Sequence, residues 1–574
     1  MFKLLNATYF NNELERPVIT ILTDYKGGAH GWISVKQHHL HGWCITEPSP
    51  KFIALVNKHC RAGCFKLERL KTYRDGTPKV TKPGEDGKET TISSLTITWA
   101  SGDMFAFFGA YLLYGPCIPP PNVVYYERYF DVGRKSMFTS DCLGLNRAGH
   151  LTIGGCDTLA LAREFGTPLY VMDEAQLRRG CRDYKEAINK YYGPGEGRHG
   201  YGMPLYASKA FSCREICRVA HQEGLGLDVV SAGELHTALA AGFPPEKIYF
   251  HGNNKSAFEL DYAMRVRVGQ IVLDNFTELE LLNQMAGERN ARVKVLLRIK
   301  PGIDAHTHEF IRTGQIDSKF GFALETGEAM QAARAAAQAS NLELVGAHCH
   351  IGSQIFDAAP FELAAEVLLG FLAQVKKELG VELVQLNLGG GMSIHYAEDD
   401  AALPAGVYFE KVAAVLKAKC AEMGLRLPFL LLEPGRSIPG PAGITLYTVG
   451  AVKDIPGIRR YVTVDGGMGD NPRYMMYGSK YTVLCAGRAG EAPTDTVTVA
   501  GRYCESGDLI QEYTKLQPVR PGDILAVLAT GAYNYSMASN YNRVPRPPVV
   551  MVTDGQPRVI IKGEGLEDMD RLDV

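Results

Sequence analysis

The chain has 574 residues, of which 46% are hydrophobic and 22% charged, with 13 cysteines and a formal net charge of -2 at pH 7. It is long enough for about two to four domains, and a charge this close to zero excludes broad electrostatic attraction to nucleic acid or to an anionic membrane. The apolar run Met104–Gly115 is too short to span a bilayer, the N-terminus lacks the apolar core of a signal peptide, and the scattered cysteines are typical of reduced thiols. We therefore expect a soluble cytoplasmic protein without nucleic-acid or membrane partners.

Residues 1–138 are predicted to form a separate N-terminal extension, a β or α+β module, because short β-prone runs alternate there with Gly, Pro and charged turns. The predicted strands are Val18–Leu22, Trp32–Val35, Thr91–Trp99 and Val123–Tyr126. Several side chains of this region belong to metal-binding types, namely His38, His39, His41, Cys44, His59, Cys60 and Cys64. Since no second cysteine pair accompanies Cys60 and Cys64, we interpret this group as incidental and expect no metal.

Residues 139–170 are predicted to form strands around one helix, Leu159–Phe165, and a regular alternation of strands and helices follows over residues 171–437. The predicted strands of the alternation are Pro204–Ala207, Leu227–Val230, Ile248–Phe250, Gln270–Leu273, Val293–Ile299, Leu344–His348, Leu383–Leu388 and Phe429–Leu432. The predicted helices include Glu234–Ala241, Glu278–Met285, Glu328–Ala339 and Phe361–Leu379. Eight strands that mostly alternate with helices predict an α/β fold, the (β/α)8 barrel.

Reactive and anion-binding residue types follow all eight predicted strands, and in such a barrel they would share one face. They include Lys209, Ser231, His251, Asn253, Asp274, Asn275, Lys300, His350, Gly389, Glu433 and Arg436. Lys209 is the most informative, because a partly desolvated lysine amine between a strand and a helix can form a Schiff base with a carbonyl. Taken alone it would be interpreted as a solvated surface lysine, and the residues downstream decide otherwise.

The residues after the later strands indicate which cofactor such a lysine would hold. Gly389-Gly390-Gly391 lets backbone N–H groups approach an anion, and Gly435 with Arg436 adds a guanidinium for a phosphate or carboxylate. The ring of His350 can stack on a flat cofactor. Glu433 can keep a pyridine nitrogen protonated, which makes the pyridine ring an electron sink. Together with the lysine, these residues favour pyridoxal phosphate.

After Arg436 the pattern changes to β-rich runs separated by Gly- and Pro-rich turns. The predicted strands are Ile444–Val452, Tyr461–Val464, Thr496–Val499, Ile524–Val527 and Val549–Val552. A C-terminal β domain is therefore predicted over residues 438–574.

Short motifs occur in a fixed order along residues 146–574: Tyr206–Ala210, His251–Lys255, His306–Phe310, His350–Gln354, Gly389–Gly391, Glu433–Arg436, Cys504–Ser506 and Gly531–Tyr533. This ordered set closely resembles the diaminopimelate decarboxylase family, pyridoxal-phosphate enzymes of the alanine racemase and ornithine decarboxylase fold group. The resemblance leaves the role of the N-terminal extension unexplained.

The resemblance implies a β-sandwich domain built mainly from the C-terminal segment, with strands of residues 139–170 contributing. It also implies a homodimer in which the C-terminal domain of each subunit completes the active site of the other. Cys504 and Glu505 would then act beside Lys209 of the partner subunit.

The activity implied by the resemblance is removal of CO2 from meso-2,6-diaminopimelate to give L-lysine, the last step of lysine biosynthesis. Lys209 would hold the cofactor, and Cys504 would return a proton to the substrate carbon. His350 and Glu433 would contact the cofactor ring. Ser353 would bind the cofactor phosphate together with the glycine run.

Substrate choice is implied by a second group of residues. Arg436, Arg473 and Tyr477 match family positions that hold the distal carboxylate of diaminopimelate. Glu505 would bind the distal ammonium, and Tyr533 would contact the cofactor or the substrate. Ornithine and lysine have no distal carboxylate, and leaving buried arginines unpaired is costly, so the arginines favour the diacid.

Other interpretations stay open at this point. The chain could be a decarboxylase of another basic or dicarboxylic diamino acid, such as ornithine, arginine or lysine, or a catalytically inactive regulator. Alanine racemase is disfavoured, because that chemistry usually places an arginine at the pyridine nitrogen. The sequence departs from the family at Tyr474, where proline is common, and at the bulky pair Met475 and Met476, although the spacing from Arg473 to Tyr477 is retained.

Overall fold

The computed structural model describes residues 138–193, 201–303, 317–397 and 400–574, and seven strands within residues 19–99. The chain divides into two compact units, Met1–Lys135 and Ser136–Val574. None of the helices that the structure describes combines the length and the apolar character needed to cross a membrane.

The first unit contains short antiparallel strands: β1 (Ile19–Leu22), β2 (Trp32–Lys36), β3 (Phe65–Lys66), β4 (Lys71–Thr72), β5 (Pro78–Pro83), β6 (Glu89–Ile92) and β7 (Ser94–Trp99). They pair in the orders β1-β2-β7-β3 and β4-β5-β6. The predicted strand Val123–Tyr126 and the histidine and cysteine group between His38 and Cys64 lie outside the described residues.

The second unit begins with a three-stranded antiparallel sheet and two helices. These elements are β8 (Leu143–Leu145), β9 (Leu151–Ile153), β10 (Cys156–Asp157), α1 (Thr158–Phe165), β11 (Leu169–Asp173) and α2 (Glu174–Ala187). Asp157 and Asp173 begin the two helices, because each carboxylate accepts a hydrogen bond from a backbone N–H of the first turn. A π-helical turn, Ile188–Tyr192, extends the second helix.

Eight parallel strands then close into a barrel, as the sequence predicted. They are β12 (Gly202–Ala207), β13 (Gly226–Val229), β14 (Ile248–Phe250), β15 (Gln270–Leu273), β16 (Val293–Lys300), β18 (Leu342–His348), β19 (Gln385–Asn387) and β20 (Phe429–Leu432), with β17 (Phe322–Ala323) added beside β16. Neighbours in the chain pair with each other, and the pairing of β12 with β20 closes the barrel. The carboxyl ends of all eight strands therefore meet at one mouth.

Helices cover the outside of the barrel: α3 (Arg214–Gln222), α4 (Ala232–Ala240), α5 (Ala257–Val266), α6 (Phe276–Glu288), α7 (Glu328–Gln338), α8 (Ala359–Leu379) and α9 (Ala405–Met423). The apolar positions of each strand alternate between two cores. Tyr206 and the other strand residues that face the helices belong to the large core that the strands share with those helices. The barrel interior contains a smaller cluster of strand residues, Leu205, Tyr249, Val272, Leu296, Val345 and Leu431.

The C-terminal segment forms a mixed β domain, which confirms the predicted fold class. Its elements are β21 (Gly443–Ile455), β22 (Arg459–Val464), α10 (Arg473–Tyr477), β23 (Val483–Cys485), β24 (Asp495–Ala500), β25 (Leu509–Leu516), β26 (Ile524–Val527), β27 (Val549–Thr553), β28 (Gln556–Ile561) and α11 (Glu567–Asp570). The strand order is β25-β24-β22-β21-β11-β27-β28, and β26 pairs with both β21 and β23. Because β11 precedes the barrel in the chain, the barrel is inserted into this β domain.

Candidate active site

A cavity of about 830 Å³ lies at the mouth of the barrel, where the β domain covers the strand ends. Barrel residues and β-domain residues both line it, among them Lys209, Asn253, Arg298, His350, Ser353, Glu433, Arg436, Arg473, Tyr477 and Tyr533. The structure thus brings together residues that lie more than 300 positions apart in the chain. Most of the predicted site residues share this one cavity.

Lys209 lies in the single 3₁₀ turn Ser208–Ala210 that directly follows β12. Its side chain is exposed to the cavity, whereas Ser208 and Ala210 are buried. The β domain fastens this turn, because the backbone N–H of Tyr533 donates to the carbonyl oxygen of Ala210 at 2.7 Å. Tyr533 itself has a φ of 64°, a left-handed conformation that is unusual for a residue other than glycine.

Glu433 follows β20 and is 6% exposed. Three side-chain nitrogen atoms lie close to its carboxylate. His251 Nε2 lies 3.0 Å from Oε1, His348 Nε2 lies 3.3 Å from Oε2, and Asn387 Nδ2 donates to Oε1 at 2.7 Å. An ionised carboxylate offers about four acceptor positions, and the hydrogen bonds from His348 and Asn387 occupy two of them, which leaves room for a further N–H group.

Buried charge around Glu433 sets which groups are ionised. Burial raises the pKa of Asp228 to about 6 and lowers the pKa of His348 to about 4. Burial also opposes protonation of His251, but the carboxylates of Asp228 and Glu433 raise its pKa. Burial opposes ionisation of Glu433 as well, and the two imidazoles nevertheless hold its pKa well below its usual range. Glu433 is therefore an anion at neutral pH.

The imidazole of His350 is neutral, because burial lowers its pKa well below the usual range. The backbone N–H of Gly390 donates to His350 Nδ1 at 3.2 Å. The ring proton is accordingly assigned to Nε2. An uncharged ring held at the cavity wall suits contact with a flat aromatic group.

The predicted anion-binding glycines, Gly389–Gly391, follow β19 and lie close to the backbone that follows β18 and β20, the two neighbouring strands. A Cβ atom at Gly389 would collide with the carbonyl oxygen of Cys349, and one at Gly390 would collide with the carbonyl oxygen of Glu433. Close backbone approach therefore explains these glycines without a ligand. Their role in binding an anion stays a prediction.

Arg436 is 6% exposed and points into the cavity. It donates to the hydroxyl of Tyr396 at 2.6 Å and to that of Ser353 at 2.9 Å, and its guanidinium lies 4.7 Å from the ring centre of Tyr533. Its Nε is buried without a hydrogen-bond partner.

Arg473 approaches the same cavity from α10 and is 7% exposed. It donates to the hydroxyl of Ser479 at 3.2 Å, and its guanidinium lies 5.3 Å from the ring centre of Tyr477 and 5.4 Å from that of Tyr533. Its Nε also is buried without a partner. Among the described residues, neither Arg436 nor Arg473 forms an ion pair with a carboxylate.

Tyr474, where the sequence departs from the family pattern, turns away from this pair and donates its hydroxyl to Glu512 at 2.6 Å. Met475 and Met476 are 47% and 46% exposed. The departure therefore leaves the position of Arg473 intact.

Two predicted residues do not join the cavity of their own chain. Cys504 and Glu505 are exposed on the turn between β24 and β25, and neither lines the cavity. The backbone N–H of Cys504 donates to the side chain of Asn542 at 2.9 Å, which holds the turn in place. Their predicted roles would require a second subunit.

Apart from His251, the sequence did not single out the groups around Glu433. Asp228 and His348 lie within strands, and Asn387 ends β19. Each follows or interrupts an apolar run, a signal that also marks ordinary turns. His251, His348 and Glu433 have ligand atoms within 4.8 Å of one another, a spacing that a metal ion could use. The amide N–H that Asn387 directs at the same carboxylate is typical of a hydrogen-bonded anion, so we retain the prediction of no metal.

Comparisons with known proteins agree with this geometry. The pyridoxal binding domain of the pyridoxal-dependent decarboxylases matches residues 175–440. Diaminopimelate decarboxylase of Bacillus subtilis (strain 168) is 49% identical over 438 residues, which cover 76% of this chain and 98% of that protein. The enzyme of the same name from Bacillus methanolicus is 47% identical over 419 residues, covering 73% of this chain and 95% of that protein.

A solved structure gives the same result at the level of the fold. Diaminopimelate decarboxylase from M. jannaschii, in complex with L-lysine, has a TM-score of 0.70 and 33% sequence identity, and the match covers 76% of this chain and 98% of that one. Since nearly the full length of each of these relatives is matched, the chain belongs to the diaminopimelate decarboxylase family of pyridoxal-dependent enzymes.

Proposed function

We propose that this protein removes a carboxyl group from meso-2,6-diaminopimelate, releasing CO2 and L-lysine, with pyridoxal phosphate as its cofactor. The relatives that match nearly full length are named for this reaction. The reaction is a lyase step and would complete lysine biosynthesis.

The observation that carries the choice of substrate is the pair of buried arginines. Arg436 and Arg473 both contact the ring of Tyr533, and neither forms an ion pair with a carboxylate among the described residues. A buried, uncompensated guanidinium is unfavourable by several kcal/mol, roughly the cost of breaking a buried ion pair. A substrate with a second carboxylate relieves this cost, and a planar guanidinium can grip that carboxylate with two hydrogen bonds.

The residues of the cavity also fit pyridoxal phosphate. Lys209 would hold the cofactor carbonyl, and Glu433 has acceptor capacity left for a ring N–H. Ser353 and the partnerless Nε of Arg436 provide donors for a phosphate oxygen. Gly389–Gly391 and Gly435 would let backbone N–H groups approach the cofactor phosphate closely. When bound, pyridoxal phosphate supplies an electron sink for the electron pair that remains as CO2 departs.

The chain's own groups orient the substrate and move the proton. Arg436, Arg473 and Tyr477 would fix the distal carboxylate, which leaves the other end of the molecule at Lys209. Glu433 stays ionised throughout, because the contact with His251 and the hydrogen bonds from His348 and Asn387 stabilise its negative charge. The neutral ring of His350 and the ring of Tyr533 would exclude water from the reacting carbon.

The remaining roles require a homodimer, which we propose on the exposure of Cys504 and Glu505. Cys504 of one subunit would return a proton to the substrate carbon in the other, and Glu505 would bind the distal ammonium there. We also propose a cytoplasmic location, because cysteines scattered without a framework pattern are typical of intracellular proteins.

The test is CO2 release by the purified full chain with added pyridoxal phosphate, offered meso-diaminopimelate, ornithine, arginine or lysine separately. Release from diaminopimelate alone, with lysine as product, supports the proposal. Release from a basic amino acid would keep the cofactor but contradict the reading of the arginines. No release from any substrate would favour the inactive regulator.

A further inference from the structure

The polar side chains around the Glu433 carboxylate come from widely separated strands, and His251 contacts it as an ion-pair partner. His251 follows β14, whereas Glu433 follows β20, and β13 and β12 lie between these strands in the barrel. The two side chains therefore meet across the mouth of the barrel, at 3.0 Å between Nε2 and Oε1. Because the two residues follow strands that are not adjacent in the barrel, their contact does not result simply from strand pairing.

The three polar side chains that contact Glu433 differ in kind. The amide of Asn387 has a fixed orientation, because its Oδ1 accepts the backbone N–H of Gly389 at 2.9 Å and its Nδ2 must therefore face Glu433. His348 is a neutral donor. His251 alone of the three also faces a second carboxylate, since its Nε2 lies 3.8 Å from Asp228 Oδ1. It is the group in this trio that is placed to carry positive charge between two anions.

The turn after His251 is held in place by contacts of Lys255 that do not involve Glu433. Lys255 donates its ammonium to the carbonyl oxygens of Gly252 and Val272, at 2.7 and 2.8 Å, and pairs with Glu278 at 2.7 Å. Both charged side chains are almost fully buried. The backbone beside His251 is therefore held firmly, which limits the positions that its ring can adopt.

We propose that His251, supported by Asp228, is a positioning residue for the decarboxylation: it holds Glu433 in the orientation and charge state that accept a hydrogen bond from the cofactor ring nitrogen. The inference rests on the proposed function, since it requires pyridoxal phosphate in this cavity. His251 acts through Glu433 and has no direct part in the reaction.

The test compares two cofactors that differ at one atom. Pyridoxal phosphate and its 1-deaza analogue, which has carbon in place of the ring nitrogen, are each titrated into the full-length chain freed of cofactor, and binding is followed by absorbance. The variants are His251→Asn, whose amide is too short to reach the position of Nε2, and His251→Gln, whose amide nitrogen can reach it. The matched control is His221→Asn. His221 lies on α3, where it packs against Phe243, and it does not line the cavity.

We expect His251→Asn to weaken binding of pyridoxal phosphate about tenfold, because the variant loses the ion-pair contact with Glu433, and to leave binding of the deaza analogue unchanged. His251→Gln should retain most of the affinity, and His221→Asn should match wild type with both compounds. The His251→Asn enzyme should also lose turnover mainly in kcat, with KM for diaminopimelate little changed.

Equal loss of both compounds in His251→Asn, or no loss of either, would overturn the proposal, because His251 would then have only a structural role or none. Wild-type protein that binds both compounds equally well would also overturn it. Wild-type protein that binds neither compound would instead refute the proposed function, and CO2 release by wild type separates these two failures.

Discussion

Lys209 is the residue on which the proposed chemistry depends most directly. We predict that Lys209→Ala abolishes both the visible absorption of bound cofactor and CO2 release, because Lys209 is the amine that the turn after β12 places at the cavity wall. Absorbance spectra and a CO2 assay test this. Lys247→Ala, at the opposite end of the barrel just before β14, is the control and should behave as wild type. Turnover by Lys209→Ala would contradict the assignment.

Arg473 tests the substrate. Arg473→Lys keeps the charge but loses the planar fork, so we expect kcat/KM for diaminopimelate to fall about tenfold to hundredfold, mainly through KM. Steady-state kinetics measure this change. Arg460→Lys is the matched control, since Arg460 forms an exposed pair with Asp454 far from the cavity. An unchanged KM in Arg473→Lys would show that another group holds the distal carboxylate.

Single residues also show how far the sequence could predict the site. Lys209, Glu433 and Arg436 follow strands and line the cavity, as predicted. Ser231 and Asn275 also follow strands, but each side chain accepts the backbone N–H that begins the next helix. A short polar residue at a strand end serves either purpose, and sequence alone does not distinguish a helix cap from a ligand-binding group.

At the scale of elements, the sequence predicted the eight barrel strands to within two residues at nearly every end. Buried parallel strands are continuous apolar runs, and such runs are visible in a single sequence. The pairing between strands was harder to predict from the sequence. The two-residue strand β17 has no pattern of its own, and the position of β11 between β21 and β27 depends on contacts with segments hundreds of residues away. The resemblance to the family, and not periodicity, indicated that contribution.

The connection between β14 and α5 allows a prediction about stability. Lys255 and Glu278 have side chains only 1% and 3% exposed, so Lys255→Met leaves a buried carboxylate unpaired. We expect this variant to lose about 3–5 kcal/mol of stability, visible as a lower Tm in calorimetry.

The double variant Lys255→Met/Glu278→Leu should recover part of that loss, because it removes both charges. Lys419→Met, which breaks a more exposed pair with Glu366, should leave Tm close to that of wild type. A Tm for Lys255→Met equal to that of Lys419→Met would show that the buried pair does not stabilise the barrel.

For the whole molecule, the placement of Cys504 separates a single-chain site from a shared one. Cys504 is exposed outside the cavity, and the exposed side chain of Met475 lies beside Gly507 of the same turn. A symmetric dimer buries one patch against its copy and can bring such a turn to the partner's cavity. Each active site would then need Lys209 from one chain and Cys504 from the other.

Complementation tests this arrangement. Lys209→Ala and Cys504→Ala homodimers should each be almost inactive, because every site lacks one group. In a mixed dimer, one site combines an intact Lys209 with an intact Cys504 from the other chain. An equal mixture of exchanging subunits should therefore reach about a quarter of wild-type activity, since half of the dimers are mixed and each has one working site. If each site used Cys504 of its own chain, both sites of the mixed dimer would stay defective and mixing would restore nothing.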